Sequence, residues 1–251
     1  MQKYAIIGFP LGHSYSPAYF NTKFEQECID AEFIKIEIEN VEDLIGVLKN
    51  DTSIKGFCVT IPHKQNIIPL LDEISEEAAV IGAVNCVTIR RREESGVDEL
   101  YLKGYNTDVL GFKRSLLDFL GGELIKDALI LGNGGAAKAV RYALSSLNIN
   151  SITVTRSPLC DQEISYDKVG DYMSSHRLII NTTPLGTFPD VNDGPCIPYD
   201  LLSKEHYVYD LIYNPEITKF LHLSQDQGAY ICNGHAMLIG QAEENWKLWN
   251  L

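Results

Sequence analysis

The sequence predicts an α/β protein with mostly parallel sheets, built as one large or two medium domains around a Rossmann-like dinucleotide-binding unit. Three observations carry that prediction. The stretch from Asp127 to Ser157 reads strand, glycine turn, helix, strand. It has an apolar run from Ala128 to Leu131, the turn GNGGAA from Gly132 to Ala137, a helix-compatible segment to about Leu147, and a β-branched run from Ser151 to Thr155. Strand-like and helix-like segments alternate on both sides of it, the order that favours mostly parallel sheets. The length of 251 residues suits one large or two medium domains.

In chain order, Tyr4 to Ile7 is a buried-strand candidate that breaks at Gly8-Phe9-Pro10. Ser14 or Ser16 can cap the next helix, with Pro17 in its first turn and Tyr19, Phe20 and Phe24 facing inward. One serine suffices as a cap, so two hydroxyls beside His13 equally suit a ligand pocket. Ala31 to Ile38 alternates as a strand, and Val41 to Lys49 follows as a helix with Asn40 as its cap. Lys55 to Thr60 is a third strand, stopped by Pro62. Lys64 then stands near the carboxyl end of a strand, where open α/β sheets bind ligands, although a lysine there is also an ordinary solvated charge.

Pro69 to Ile81 reads as one helix, Cys86 to Ile89 as a strand, Arg90 to Asp98 as a charged hairpin tip, and Leu100 to Lys103 as the return strand. Asp108 or Thr107 can cap a long helix from Val109 to Phe119. Beyond Ser157 a poorly patterned stretch runs to Ser174, anchored by Leu159 and Ile164. Strands are expected at Leu178 to Ile180, Tyr207 to Ile212 and Ala229 to Cys232, with helices at Glu216 to Gln225 and Gly234 to Trp249.

Gly132 would make the tight turn of the motif, and Gly134 would let backbone N–H groups approach a pyrophosphate at the positive helix end. Ala137 allows close helix–strand packing, and an ordinary glycine-capped turn is the plainer alternative. At the end of the second strand stands Arg156, flanked by Thr155 and Ser157, with no acid until Asp161. A guanidinium there can pair with a 2′-phosphate or stack on adenine, so NADP(H) is favoured over NAD.

The formal net charge of -13 and the lack of a basic patch argue against nucleic acid. The same charge requires local donors for any anionic substrate. Six cysteines without a CxxC spacing indicate neither a disulfide framework nor a metal site, and Cys58 and Cys86 read as buried thiols. No apolar run approaches the roughly 18 residues of a membrane span. The opening MQKYAIIGFP reads as a strand rather than a signal peptide, so the cytoplasm is expected.

The ordered set GFPLGHSYSP, VTIPHK, GAVN, GYNTD, GNGGAA, TRS, NTTPLG, YNPEIT and NGHAMLIGQA resembles the shikimate dehydrogenase family over essentially the whole chain. The resemblance implies two domains separated by a cleft: an amino-terminal α/β substrate domain of residues 1–107 completed by the carboxyl-terminal helix, 234–251, and a Rossmann-like NADP-binding domain of 108–233. It implies that Ser14 and Ser16 meet the substrate carboxylate, with Tyr213 nearby. Lys64, Asn85, Asp108 and Thr60 would meet its hydroxyls, and Gln241 would be contributed by the returning helix. Lys64 and Asp108 are the catalytic candidates. Gly132, Asn133, Gly134, Gly135 and Ala136 would form the phosphate loop, and Thr155, Arg156 and Ser157 the 2′-phosphate clamp, with Thr182 and Gly234 completing the cofactor site. The implied reaction is reversible, NADPH-dependent reduction of 3-dehydroshikimate to shikimate by a monomer or homodimer.

Thr155, Cys160, Lys219 and His235 depart from the usual family pattern, and none matches a reacting group. The alternatives are a quinate/shikimate dehydrogenase using NAD or NADP, a methylene-tetrahydrofolate dehydrogenase relative, and a non-catalytic NADP(H)-binding regulatory protein.

Overall fold

Alternation along the first strand decides how the amino-terminal half is layered. In β1 (Gln2–Gly8), Tyr4 and Ile6 point to one face of the sheet and Ala5 and Ile7 to the other, and all four are buried. The computed structural model describes residues 1–12, 15–94 and 97–251, without the side chains of 92–98. Ser14 therefore lies outside the described residues, as does part of the charged hairpin tip. The chain forms two compact units, Met1–Thr107 with Ala242–Leu251, and Asp108–Gln241.

The first unit continues with α1 (Ser16–Gln26), β2 (Ala31–Glu37), α2 (Leu44–Asn50), β3 (Ile54–Val59) and the short α3 (His63–Asn66). After these come β4 (Glu73–Ile74), α4 (Glu76–Ile81), β5 (Cys86–Glu94) and β6 (Val97–Tyr105). Its sheet has the order β2-β1-β3-β5-β6-β4, with β5 running antiparallel to both neighbours and the other pairings parallel. One face buries Ile7, Leu44, Leu48, Phe57 and Val59, and the other buries Tyr4, Ile6, Phe20, Phe24, Phe33 and Cys58. Ala242, Trp246 and Trp249 close the second face.

The second unit is wound from α5 (Asp108–Leu120), β7 (Asp127–Leu131), α6 (Gly135–Ser146), β8 (Asn150–Val154) and β9 (Glu163–Ile164). It continues through α7 (Val169–Tyr172), β10 (Leu178–Asn181), β11 (Tyr207–Asp210), α8 (Lys219–Asp226) and β12 (Tyr230–Cys232) to the first half of α9 (His235–Trp249), whose residues from Ala242 onward belong to the first unit. Its sheet is parallel throughout, in the order β12-β11-β10-β7-β8-β9. That is the doubly wound order, and its switch point lies between β7 and β10, where the chain direction of winding reverses. Leu129, Val154, Ile179, Val208, Phe220 and Leu221 fill one face. Phe112 of α5 packs edge-on against Tyr209 at 5.2 Å.

Several expected elements differ, each for a local reason. Pro69 to Ile81 is not one helix. Asp72 N–H reaches Leu102 O at 3.0 Å, the Asp72 carboxylate takes the Leu102 N–H at 2.7 Å, and Ser75 N–H reaches Gly104 O at 2.9 Å. These groups serve the sheet edge, so α4 begins only where the Ser75 hydroxyl accepts the Ala78 N–H. Ser16 does not cap α1, because it already lies within the helix, whose preceding residue, Tyr15, makes no side-chain cap bond. Asn40 likewise makes no cap bond, and a 3-10 turn, Val41–Asp43, precedes α2. The charged segment after Ile89 is strand backbone in β5 and β6 rather than a loop up to residue 94. Leu159 is 88% exposed and anchors nothing, while Val169 and Met173 fill the core beneath that stretch. The helix expected from Glu216 starts at Lys219, where Thr218 accepts the Leu221 N–H.

Candidate active and cofactor sites

In the first unit, Thr60, Lys64 and Asn85 are brought together by backbone bonds beyond the carboxyl end of β3. Thr60 N–H reaches Ile7 O at 2.9 Å, and Gly8 stands so close that a Cβ there would meet the Thr60 methyl at 2.5 Å. His63 N–H returns to Thr60 O at 2.9 Å, which starts α3 and holds Lys64 in its first turn. The Lys64 carbonyl then takes Val84 N–H at 2.7 Å, and Asn85 bridges the neighbouring strands through Val59 N–H at 2.8 Å and Tyr105 O at 3.0 Å. The side chain of Asn85 is buried, and its oxygen accepts Thr107 N–H at 2.7 Å. An amide so held presents its nitrogen rather than its oxygen to a further partner. Thr107 also donates to Asn245 Oδ1 at 2.7 Å, so the second half of α9 braces the same loop. Ser16 is half-buried at the start of α1.

In the second unit, Asp108 opens α5 and is buried, Tyr213 follows β11, and Gln241 lies on α9. The glycine loop occupies the switch point. Gly132 has φ +106°, and a Cβ there would meet Thr182 Oγ1 and Thr183 Cγ2, each at 2.9 Å. Thr182 donates its hydroxyl to Leu131 O at 2.7 Å and its N–H to the same oxygen at 2.9 Å, which clamps the loop after β10 onto the loop after β7. A Cβ at Gly134 or Gly135 would instead point into open space. The first backbone bond of α6 is Lys138 N–H to Gly134 O at 3.3 Å, so the N–H groups ahead of it point out of the helix at its positive end. This open cradle fits a pyrophosphate.

Arg156 is exposed beyond β8, where Thr155 accepts the Ser157 N–H at 3.5 Å. Burial raises the Tyr166 phenol, and the nearby Arg156 guanidinium partly opposes the rise. Gly234 is buried, and its N–H reaches Ile212 O at 3.0 Å. A Cβ there would collide with the Leu211 carbonyl, so the close approach of α9 requires glycine at that position.

The sequence reading missed a buried carboxylate at the end of β11. Asp210 accepts Thr218 Oγ1 at 2.6 Å, Asn181 Nδ2 at 3.0 Å and Ile212 N–H at 3.0 Å. Burial raises its pKa to about 6, against those three hydrogen bonds. Asn181 in turn accepts the Thr183 N–H and hydroxyl at 3.0 and 2.7 Å, so one network joins the loops after β10 and β11. A charged residue closing an apolar strand was the available signal. Among the described residues no cluster of His, Cys, Asp and Glu could hold a metal ion.

A two-unit α/β chain, with a doubly wound sheet and a glycine loop at its switch point, defines the class of nucleotide-dependent enzymes. Residues 6–87 match the family model described as the shikimate dehydrogenase substrate binding domain. A curated relative from Caldanaerobacter subterraneus subsp. tengcongensis, named shikimate dehydrogenase (NADP(+)), is 35% identical over 98% of this chain and 90% of its own. The crystal structure of shikimate 5-dehydrogenase from Thermus thermophilus in complex with NADP(H) and shikimate superposes with a TM-score of 0.83. It is 31% identical and is matched over 99% of this chain and 93% of its own. Quinate dehydrogenase from Corynebacterium glutamicum in complex with NAD gives a TM-score of 0.86 at 25% identity, over 99% of this chain and 93% of its own. The chain belongs to the shikimate dehydrogenase family.

Proposed function

We infer that this protein is an NADP-dependent oxidoreductase acting on a CH–OH group, which reversibly reduces 3-dehydroshikimate to shikimate for aromatic amino-acid biosynthesis. The observation that carries the reading is full-length kinship with NADP-dependent shikimate dehydrogenases. On this reading residues 1–107 plus 234–251 form the substrate domain and 108–233 the NADP domain. The protein is cytoplasmic, as a monomer or homodimer. Its described residues contain no helix long and apolar enough to cross a membrane.

Bound NADPH supplies the hydride. The residues of this chain must place the ketone, stabilise the charge developing on its oxygen and deliver a proton. Lys64 is assigned to hydrogen-bond that oxygen and donate the proton, accepting it in the reverse direction. Asp108 is assigned to orient the Lys64 ammonium and bind a substrate hydroxyl. The backbone bonds that bring Thr60, Lys64 and Asn85 together support their assignment as a hydroxyl-binding set. Ser14 and Ser16, with Tyr213 nearby, are assigned to the substrate carboxylate, and Gln241, contributed by the returning helix, to the substrate. The glycine loop from Gly132 to Ala136, with Thr182 and Gly234, is assigned to the dinucleotide, and Thr155, Arg156 and Ser157 to its 2′-phosphate. The open face at Gly134 and Gly135 supports the loop assignment.

A second reading, a quinate/shikimate dehydrogenase using NAD, is favoured by the likeness to the NAD-bound quinate dehydrogenase. Nicotinamide absorbance with shikimate and with quinate, each against NADP and NAD, separates the two. Turnover of shikimate with NADP well above the other three combinations is expected. Comparable turnover of quinate with NAD selects the second reading, and cofactor binding with no turnover of either substrate leaves a non-catalytic binding protein.

A further inference from the structure

Glu163 belongs to β9, two residues long, and the sequence reading gave it no role. Its carboxylate makes two bonds that reach different loops. Oε1 accepts the Asn133 side-chain N–H at 2.7 Å, within the glycine loop. Oε2 accepts the Leu159 backbone N–H at 2.8 Å, in the segment that follows Arg156. On the far side of Asn133, the Arg141 guanidinium donates to Asn133 Oδ1 at 3.2 Å and to Thr153 Oγ1 at 2.8 Å.

The Asn133 amide therefore bridges a cation and an anion. Its oxygen must face Arg141 and its nitrogen must face Glu163, because the reversed amide would set donor against donor and acceptor against acceptor. The pairing of β9 with β8, Thr153 opposite Glu163 and Val154 opposite Ile164, fixes the distance from which the carboxylate reaches both loops.

We propose that Glu163 is a positioning residue for NADP(H), holding the pyrophosphate loop and the 2′-phosphate loop in register through Asn133 and the Leu159 N–H. The proposal rests on the assignment of those loops to the cofactor. A dinucleotide that contacts both loops gains affinity when their spacing is set before it binds. NAD lacks the 2′-phosphate and engages the second loop less, so it depends less on the brace.

The test uses the full-length protein, with Glu163→Ala and Glu163→Gln. Calorimetric titration with NADP and with NAD is combined with amide hydrogen exchange at Leu159 and steady-state kinetics. In Glu163→Ala the Kd for NADP is expected to rise about tenfold, the scale of losing a charge-assisted hydrogen bond. The Kd for NAD changes less, Leu159 exchanges faster, and the KM for shikimate stays within about twofold. Glu163→Gln has a single acceptor oxygen, so when that oxygen serves the Leu159 N–H its own N–H₂ faces the Asn133 N–H₂ donor, and its loss falls between. An unchanged or tighter Kd for NADP in Glu163→Ala overturns the proposal, as does an equal loss for NAD. So does a fall in melting temperature and kcat alone, which is what a merely structural residue would give. Wild-type protein that neither binds NADP nor turns over shikimate instead overturns the proposed function.

Discussion

At the scale of single residues, two side chains carry contrasting consequences. Lys64 is expected to supply a proton-transfer step, so Lys64→Ala should lower kcat by about a hundredfold or more with a smaller effect on KM. Steady-state kinetics check this, and a kcat within a few-fold of wild type would remove Lys64 from the chemistry. Asp210 concerns stability. Its carboxyl, raised from 3.8 to about 6 by burial, holds its proton more tightly in the native protein than in the unfolded chain. The stability it contributes is therefore fully present below pH 3.8 and is lost as pH rises through about 6. At higher pH the ionised group costs on the order of 3 kcal/mol relative to the protonated one. Asp210→Asn should accordingly gain stability relative to wild type between about pH 4 and pH 7, by up to that amount. Urea denaturation across that range measures the gap, and a gap independent of pH would show that the carboxyl does not titrate in it.

At the scale of elements, the end of α9 holds the first unit's second face. Trp249 donates its indole N–H to Val87 O at 3.0 Å and stacks on Tyr4 with ring centroids 4.9 Å apart. Gly56 of β3 leaves the space for that ring, since a Cβ there would collide with the indole. Trp249→Ala should destabilise by about 2–4 kcal/mol, and Gly56→Ala should also destabilise by displacing the indole. Denaturant titration would read both, and a loss below about 0.5 kcal/mol for Trp249→Ala would mean that α9 docks without it. These elements also mark what sequence reading resolves. The strands at Tyr4, Ala31, Lys55 and Ala128 were legible because each is an apolar or alternating run closed by a turn residue. The single helix expected from Pro69 to Ile81 was not correct, because Asp72 and Ser75 bond to β6, a partner about 30 positions away that no local pattern reveals.

At the scale of the whole molecule, binding and folding are linked. NADP at a hundredfold excess over its Kd should stabilise the native protein by about 2.7 kcal/mol, and NAD at the same concentration by less. Thermal melting with each dinucleotide tests this, and equal shifts would favour the NAD-using reading. The net charge of -13 makes local donors necessary for an anionic cofactor, and the outward N–H groups at the start of α6 are such donors.

By itself the sequence determined the α/β class, the glycine loop and the candidate residues Lys64, Asp108 and Arg156, because turn chemistry and ordered motifs are written in neighbouring positions. Tertiary structure alone decided that Asn85 is held by Thr107, that Asp210 joins two loops, and that Glu163 reaches both Asn133 and Leu159. Those contacts depend on strand register and on which loops the sheet brings to one edge, and hydrogen-bond geometry between groups distant in the chain leaves no periodic trace in it.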